Sequence, residues 1–223
     1  MKAPGHVFVT GTDTGVGKTW VAAALLRAHA AAGRRAVGMK PVAAGFDDGG
    51  TVNADVAALA AAGNVDAPAA DRNPYAFAAA VAPHVAAAEA GVALDLATIA
   101  AAFERLAARA DVVVVEGAGG ALVPLDARWD MLDIAGRLRL PVLLVVGLRL
   151  GCLNHALLSA LAIRARGLHL AGWVANALET PMPRAAETIA ALDARLGAPR
   201  LDTVARGGTP AFPAQWLRGG EPC

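Results

Sequence analysis

A glycine-broken loop over residues 11–19 carries the residues whose types and order most clearly indicate chemistry. It reads Gly-Thr-Asp-Thr-Gly-Val-Gly-Lys-Thr and follows a short apolar run over residues 7–9. The backbone N–H groups of such a loop, with the N-terminus of a following helix, bind phosphate groups. Lys18 would contact the terminal phosphates, and the Thr19 hydroxyl would bind Mg²⁺. The motif predicts a nucleoside triphosphate site; the alternative is a glycine-rich turn without a ligand.

The loop is one residue longer than the standard phosphate-binding loop. Five residues separate Gly11 from Gly17, whereas the standard spacing has four. The glycine, lysine and hydroxyl still follow one another in the required order, so we interpret the segment as a variant of that loop.

Lysine is rare in this chain, which has three lysines against seventeen arginines. Two of the three, Lys18 and Lys40, lie in loops that follow predicted strands. Because a compact ammonium cannot be exchanged for a guanidinium fork without changing its chemistry, this placement favours a functional role for both lysines over chance.

Two carboxylates are candidates for the metal side of the phosphate site. Glu116 ends a run of four valines and precedes a glycine, a position typical of the second metal-side carboxylate of phosphate-loop enzymes. Asp55 lies in the first turn of a predicted helix. The alternatives are an ordinary loop glutamate at residue 116 and a helix-capping carboxylate at residue 55.

Composition and charge exclude several classes of protein. The chain has 223 residues, is 56% hydrophobic and carries a formal net charge of +1, so it lacks the basic surface of nucleic-acid or anionic-membrane binding proteins. No apolar run is long enough to span a membrane, and the first residues lack a signal-peptide core. Cys152 and Cys223 lie far apart and indicate no disulfide framework. We expect a cytoplasmic protein.

Strand and helix patterns alternate along the chain. Strands are predicted over residues 6–10, 36–40, 111–116, 141–146 and 170–175. Helices are predicted over residues 18–32, 53–62, 83–90, 95–110, 130–138, 152–166 and 184–196. Residues 63–75 are predicted as a loop, and the segment after residue 199 has no clear pattern. This alternation predicts an α/β fold, a mostly parallel doubly wound sheet with helices on both faces, in a single domain over residues 1–223.

Five motifs in order resemble the ATP-dependent dethiobiotin synthetase family, whose members have the P-loop NTPase fold. The resemblance runs in order from residue 7 to about residue 177, a span of nearly four-fifths of the chain. The motifs are the loop of residues 11–19, GMKPV at 38–42, VEGAGG at 115–120, GLRLGCLNHA at 147–156 and GWVAN at 172–176.

The resemblance implies a reaction in biotin biosynthesis. One amine of 7,8-diaminopelargonic acid takes up CO₂ as a carbamate, and the carbamate attacks the γ-phosphate of ATP. The second amine then attacks the carbamic-phosphoric anhydride and closes the ureido ring, which gives dethiobiotin, ADP and phosphate.

The resemblance also implies roles for individual residues. Lys18 and Lys40 would be catalytic, because they would offset the charge of the γ-phosphate and the carbamate. The metal would be Mg²⁺, held by Thr19, Asp55 and Glu116. The implied ATP-binding residues are Gly15, Val16, Gly17, Lys18, Thr19, Trp20, Asp55, Glu116, Gly117, Ala118, Gly119 and Asn176, with Asn176 facing the adenine. The implied substrate-binding residues are Thr14, Lys40, Ala44, Gly151, Cys152, Leu153 and Asn154, the last four serving the substrate carboxylate from the neighbouring subunit of a homodimer.

Three positions depart from the family pattern. Ala44 stands where many members have a serine, and Arg149 stands where many have a lysine. Residues 201–206 replace a proline-containing adenine loop, which puts base contacts there in doubt. From the residues alone Cys152 fits a small buried hydrophobe better than a nucleophile.

Two other functional hypotheses are compatible with the same fold. Another synthetase, such as a cobyrinate-type enzyme, would usually carry a glutaminase domain with a nucleophilic cysteine, for which this chain has no room. A partitioning or septum-positioning ATPase would carry a signature lysine near Thr12 or Asp13 and would act as a nucleotide switch.

Overall fold

The computed structural model of the chain describes residues 5–46, 52–178 and 180–217. The strands are β1 Val7–Gly11, β2 Ala36–Met39, β3 Val42–Ala44, β4 Tyr75–Phe77, β5 Val112–Gly120, β6 Val142–Leu148, β7 Leu170–Ala177 and β8 Arg200–Val204. The helices are α1 Lys18–Ala31, α2 Ala54–Ala62, α3 Ala69–Arg72, α4 Pro83–Glu89, α5 Leu96–Ala107, α6 Met131–Arg137, α7 Cys152–Ala165, α8 Ala185–Arg195 and α9 Ala214–Leu217.

Six of these strands form one parallel sheet in the order β2-β5-β1-β6-β7-β8. β1 lies inside the sheet, between β5 and β6, so the loop that follows it opens at the middle of the sheet edge. β3 and β4 form a separate parallel pair. The predicted parallel α/β sheet is confirmed.

The core lies on both faces of the sheet. Val113 and Val115 pack into one apolar cluster, and Val112 and Val114 into the other. A strand covered on both faces reads as a continuous apolar run because both sets of alternating side chains are buried. Helices α1 and α2 cover the second cluster, and α5, α6 and α7 cover the first, so helices flank both faces as predicted.

Several elements differ from their predicted bounds. β5 runs on to Gly120, because the glycines let it stay paired with β1; a Cβ at Gly117 would lie 2.9 Å from the Phe8 ring. The predicted loop over residues 63–75 contains α3 and leads into β4, and the segment after residue 199 contains β8. These elements are short, so their local sequence pattern is weak. They are stabilised mainly by pairing with residues that are distant in the chain.

Nowhere in the part of the chain that the structure describes does a helix combine the length and apolarity needed to cross a lipid bilayer.

Candidate active site

A cavity of about 770 Å³ opens at the carboxyl ends of β1, β2 and β5. Open parallel sheets bind ligands at this edge, because the loops that leave neighbouring strands meet there. The lining includes eleven residues that the sequence singled out: Thr14, Gly15, Gly17, Lys18, Thr19, Lys40, Ala44, Asp55, Glu116, Ala118 and Gly119.

The phosphate loop leaves the start of α1 open towards the cavity. Gly17 is the N-cap of α1, with φ of 89°, and no side chain caps the first turn, so its backbone N–H groups are available to an anion. Gly15 also has a positive φ, of 72°. Such backbone conformations favour glycine over residues with a Cβ.

Lys18 is almost fully buried at this helix start, with 6% of its surface exposed. Its Nζ donates a hydrogen bond to the backbone carbonyl of Asp13 at 2.9 Å. Burial, reinforced by the nearby Lys40 ammonium, lowers the pKa of Lys18 to about 8. An anionic ligand beside this amine would favour its charged form.

Lys40 lies between two carboxylates at the centre of the site. Its Nζ is 2.7 Å from Asp55 Oδ2 and 2.6 Å from Glu116 Oε1, with only 4% of Lys40 exposed and Glu116 fully buried. Burial acts against the charged amine, but the two carboxylates outweigh it and raise the pKa of Lys40 above its usual value. Burial likewise acts against the charged form of Asp55, yet Lys40 holds the pKa of Asp55 below its usual range.

The same two carboxylates meet the Thr19 hydroxyl. Thr19 Oγ1 lies 2.7 Å from Asp55 Oδ1 and 2.8 Å from Glu116 Oε1, so its single proton can be donated to either. Glu116 Oε2 is buried and has no hydrogen-bond partner among the described residues. Carboxylate and hydroxyl oxygens are the ligands that Mg²⁺ prefers, so these three residues fit that ion.

No group of three His, Cys, Asp or Glu side chains in the described ranges could hold a metal ion by itself. Mg²⁺ usually takes one or two carboxylates and completes its shell with water and substrate phosphate. The donor set therefore suits an ion that arrives with a nucleotide.

The capping alternative for Asp55 is not what the structure shows. Asn53 is the N-cap of α2, and its side-chain oxygen accepts hydrogen bonds from the N–H groups of Asp55 and Val56. The Asp55 carboxylate is thereby left to face Lys40 and Thr19.

The far wall of the cavity was not predicted. It is formed by residues 80–83, by Val123 and by Asn53. The sequence of residues 80–83, Ala-Val-Ala-Pro, contains no catalytic or ligand-binding side chain. It was predicted only as the segment that leads into a helix. Asn53 carried a recognisable signal as a helix cap, because asparagine is strongly preferred at that position.

Four predicted ATP-binding residues lie beside the cavity rather than in its wall. Val16 is buried, and its carbonyl accepts a hydrogen bond from Asn176 Nδ2 at 2.9 Å. Gly117 packs against Phe8. The indole N–H of Trp20 donates to the Gly208 carbonyl at 2.8 Å, which ties the start of α1 to the segment after β8.

The predicted carboxylate-binding segment lies outside the cavity of its own chain. Gly151 is the N-cap of α7 and has a positive φ of 94°. Cys152 is buried, whereas Asn154 is exposed. Just before this segment, Arg149 forms an ion pair with Asp13 of the phosphate loop.

Comparisons with known proteins show the family of the chain. The family model described as an AAA domain matches residues 5–205. The chain is 54% identical, over 98% of its length and 99% of the relative's, to the ATP-dependent dethiobiotin synthetase BioD of Aromatoleum aromaticum (strain DSM 19018 / LMG 30748 / EbN1). The chain belongs to the ATP-dependent dethiobiotin synthetase family. The synthetase of the same name from Nitrosospira multiformis (strain ATCC 25196 / NCIMB 11849 / C 71) is 53% identical over 87% of this chain and 85% of its own length.

Among solved structures, this dethiobiotin synthetase family member resembles a ParA family ATPase from Chlorobium tepidum TLS. The TM-score is 0.55 at 12% identity, covering 91% of this chain and 84% of that chain. At this identity the likeness shows the shared P-loop NTPase fold alone. Neither of the two positions near which a switch ATPase would be expected to carry a signature lysine is a lysine here: they are Thr12 and Asp13, and Asp13 is paired with Arg149.

Proposed function

We propose that this protein converts 7,8-diaminopelargonic acid, CO₂ and ATP into dethiobiotin, ADP and phosphate, a step of biotin biosynthesis. The observation that carries the proposal is the meeting of Lys18, Thr19, Lys40, Asp55 and Glu116 in one cavity, in a chain that is 54% identical to a dethiobiotin synthetase.

The reaction needs charge neutralisation and positioning more than a protein nucleophile. One amine adds to CO₂ and loses a proton, which gives a carbamate. A carbamate oxygen bonds to the γ-phosphorus as the bond to ADP breaks. The second amine then bonds to the carbamate carbon, phosphate leaves, and the nitrogen loses a proton as the ureido ring closes.

Lys18 and Lys40 would supply the positive charge for these steps. Lys18 is the first residue of α1 and Lys40 follows β2 directly, and both are nearly fully buried. A buried ammonium stabilises developing negative charge more strongly than an exposed one, because little water screens it. Lys40 is the residue we assign to the carbamate side, since it lies in the short connection from β2 to β3, the strand that ends at Ala44 of the cavity wall.

Thr19, Asp55 and Glu116 would hold Mg²⁺ together with the nucleotide. When bound, this ion supplies charge neutralisation at the phosphates of ATP. The buried, unpartnered Glu116 Oε2 and the all-oxygen donor set support the assignment.

The remaining residues would divide between the two substrates. Gly15, Val16, Gly17 and Trp20 would surround the phosphates through the open start of α1, and Asn176 would contribute on the nucleotide side. Thr14 and Ala44 would border the diamine, and Gly117, Ala118 and Gly119 would contribute to ATP binding on the side that faces the diamine.

We propose further that the active form is a homodimer in which Gly151, Cys152, Leu153 and Asn154 bind the substrate carboxylate of the neighbouring subunit. Asn154, Leu158 and Leu161 recur at helical spacing on one face of α7, and both leucines are more than half exposed. An exposed leucine face beside a polar helix start supports a contact with a second copy.

The proposal also covers the domain organisation, location and partners of the protein. Residues 1–223 would act as one synthetase domain in the cytoplasm, with small-molecule substrates only. The near-neutral net charge of +1 supports the expectation that neither nucleic acid nor a membrane is a partner.

Phosphate release tests the proposed function. Purified protein with MgATP should release phosphate only when the diamine and bicarbonate are both present, and dethiobiotin should form in equal amount. Brisk hydrolysis without the diamine would favour a nucleotide switch instead. Absence of phosphate release under every condition would contradict both.

A further inference from the structure

We infer that Asn53 is a positioning residue that fixes the metal-side carboxylate Asp55 relative to the substrate wall at the end of β3. This inference rests on the proposed function and assigns a role to a residue that touches neither reacting group.

The side chain of Asn53 bonds in two directions at once. Its Oδ1 accepts from the N–H of Asp55 at 3.0 Å and of Val56 at 3.4 Å, which caps α2. Its Nδ2 donates to the carbonyl of Gly45 at 2.7 Å and lies 3.4 Å from that of Ala44. One amide therefore ties the start of α2 to the end of β3.

Both tied segments belong to the cavity wall. Ala44, Asn53 and Asp55 all line it, and the Asp55 carboxylate contacts Lys40 and Thr19. A shift of the α2 start would therefore move a metal-side oxygen away from Thr19. Such outer contacts set the orientation of the groups that bind a metal.

The two roles of Asn53, capping α2 and bonding to the end of β3, can be separated. Only the bond to the end of β3, which we call the Asn53 clamp, needs an amide N–H. Serine caps helices about as well as asparagine, but its short hydroxyl lacks the reach to donate to Gly45 O while capping. Asn53→Ser should keep α2 capped and release it from β3, with no change of net charge.

Asn64 offers a matched control. Its side chain also bridges two backbone groups, accepting from Ala36 N at 2.8 Å and donating to Arg34 O at 2.9 Å. These groups lie at the opposite end of β2 from Lys40, away from the cavity. Asn64→Ser therefore reports the loss of an equivalent bridge without a change at the site.

The experiment measures ATP affinity by calorimetry without diamine, once with Mg²⁺ and once with EDTA, for wild type and both variants. We expect Asn53→Ser to weaken MgATP binding by about tenfold, in the range of other residues that orient metal-binding groups. Its affinity for ATP in EDTA should stay close to that of wild type, and its KM for the diamine should rise. Asn64→Ser should lower the Tm and leave both affinities unchanged.

A purely structural role would be indicated if Asn53→Ser lowered the Tm but bound MgATP as wild type does, and this result would overturn the inference. An equal loss with Mg²⁺ and with EDTA would also overturn it. If Asn53→Ser is not recovered folded, Asn53→Thr retains a capping hydroxyl and replaces it. Nucleotide affinity is read without the diamine, so failure of diamine-dependent phosphate release would contradict the proposed function and leave this test intact.

Discussion

The starts of α1 and α7 have nearly the same local structure and very different surroundings. Each helix has fourteen residues, follows one of the neighbouring strands β1 and β6, and begins after a glycine with φ near 90° and no side-chain cap. Around Gly17 the chain is crowded, since an added Cβ would clash with Asn176 Nδ2, whereas no atom of the described residues lies within 4 Å of the same position at Gly151.

The side chains near these glycines show the same contrast. Lys18 is buried close to the charges of Lys40, Asp55 and Glu116, whereas Leu150 is 94% exposed and Asn154 is also exposed. A helix start thus becomes a site through the elements that surround it. The α1 start is surrounded within one chain, and we propose that the α7 start is completed by a second copy.

The largest effect is expected at the start of α1, which is surrounded by residues of the same chain. Lys40→Gln should lower kcat by about 10²–10³-fold, comparable to the loss of one pre-organised group that stabilises transition-state charge. MgATP affinity should change far less, because the phosphate loop is untouched. Rapid-quench measurement of phosphate release, with calorimetry for ATP, separates the two quantities.

Arg149→Gln is the matched control for Lys40→Gln. It removes a cation beside the same loop, but from a half-exposed ion pair with Asp13, and such pairs contribute about 1 kcal/mol or less. A Lys40→Gln variant no slower than Arg149→Gln would remove Lys40 from the mechanism.

A smaller effect is expected at the α7 start. Asn154→Asp places a negative charge where the substrate carboxylate is proposed to bind, so the diamine KM should rise about tenfold, which corresponds to about 1.4 kcal/mol. The KM for ATP should stay unchanged in steady-state assays. Ala190→Asp adds the same charge on the exposed surface of α8 and is the control. An unchanged diamine KM in Asn154→Asp would refute the carboxylate pocket.

A mixture of Lys40→Gln and Asn154→Asp chains tests whether the two helix starts belong to one shared site. In a dimer of one Lys40→Gln and one Asn154→Asp chain, a shared site would combine the intact Lys40 of one chain with the intact Asn154 of the other. An equal mixture that exchanges subunits should recover about a quarter of wild-type activity at low diamine concentration. No recovery, in a mixture shown to exchange, would mean that each chain uses its own α7.

A separate effect, on stability rather than on activity, is expected at the other end of α1 from the phosphate loop, where His29 in the last turn is buried. Burial, with the nearby Arg34 charge, lowers the pKa of His29 to about 4. The unfolded chain binds this proton below about pH 6.5, so the stability due to neutral His29 is complete above that pH and is lost as the pH falls towards 4. Near pH 5 the loss should be about 2 kcal/mol relative to neutral pH.

Urea unfolding near pH 5 and near pH 7.5 checks this value. His29→Gln should lose less stability than wild type between the two pH values. His169→Gln, at an exposed histidine, controls for the removal of an imidazole. A pH dependence identical in wild type and His29→Gln would contradict the assignment.

The sequence predicted those parts of the site that follow buried parallel strands. The valine run before Glu116 and the glycine-lysine order before Thr19 are local patterns, and parallel pairing brings the ends of their strands to one edge. That is why the sequence alone predicts that Lys18, Lys40 and Glu116 meet.

The parts that escaped prediction depend on contacts between distant segments. β3, β4 and β8 are short and are recognisable only by their pairing, and residues 80–83 reach the cavity because β4, which precedes them, pairs with β3. The Asn53 clamp and the contact of Asn176 with Val16 join residues whose types fit ordinary capping and packing equally well. Local pattern carries no information about such partners.

The central position of β1 has a consequence for synthesis of the chain. Thr19 meets Glu116 across 97 residues, and Asn176 meets Val16 across 160. Parallel pairing at such separation forms slowly and leaves apolar strands uncovered in the growing polypeptide. We therefore expect the nucleotide site to be among the last regions to assemble, because a ribosome-bound chain that has not yet reached β7 carries the phosphate loop without the hydrogen bond from Asn176 to Val16.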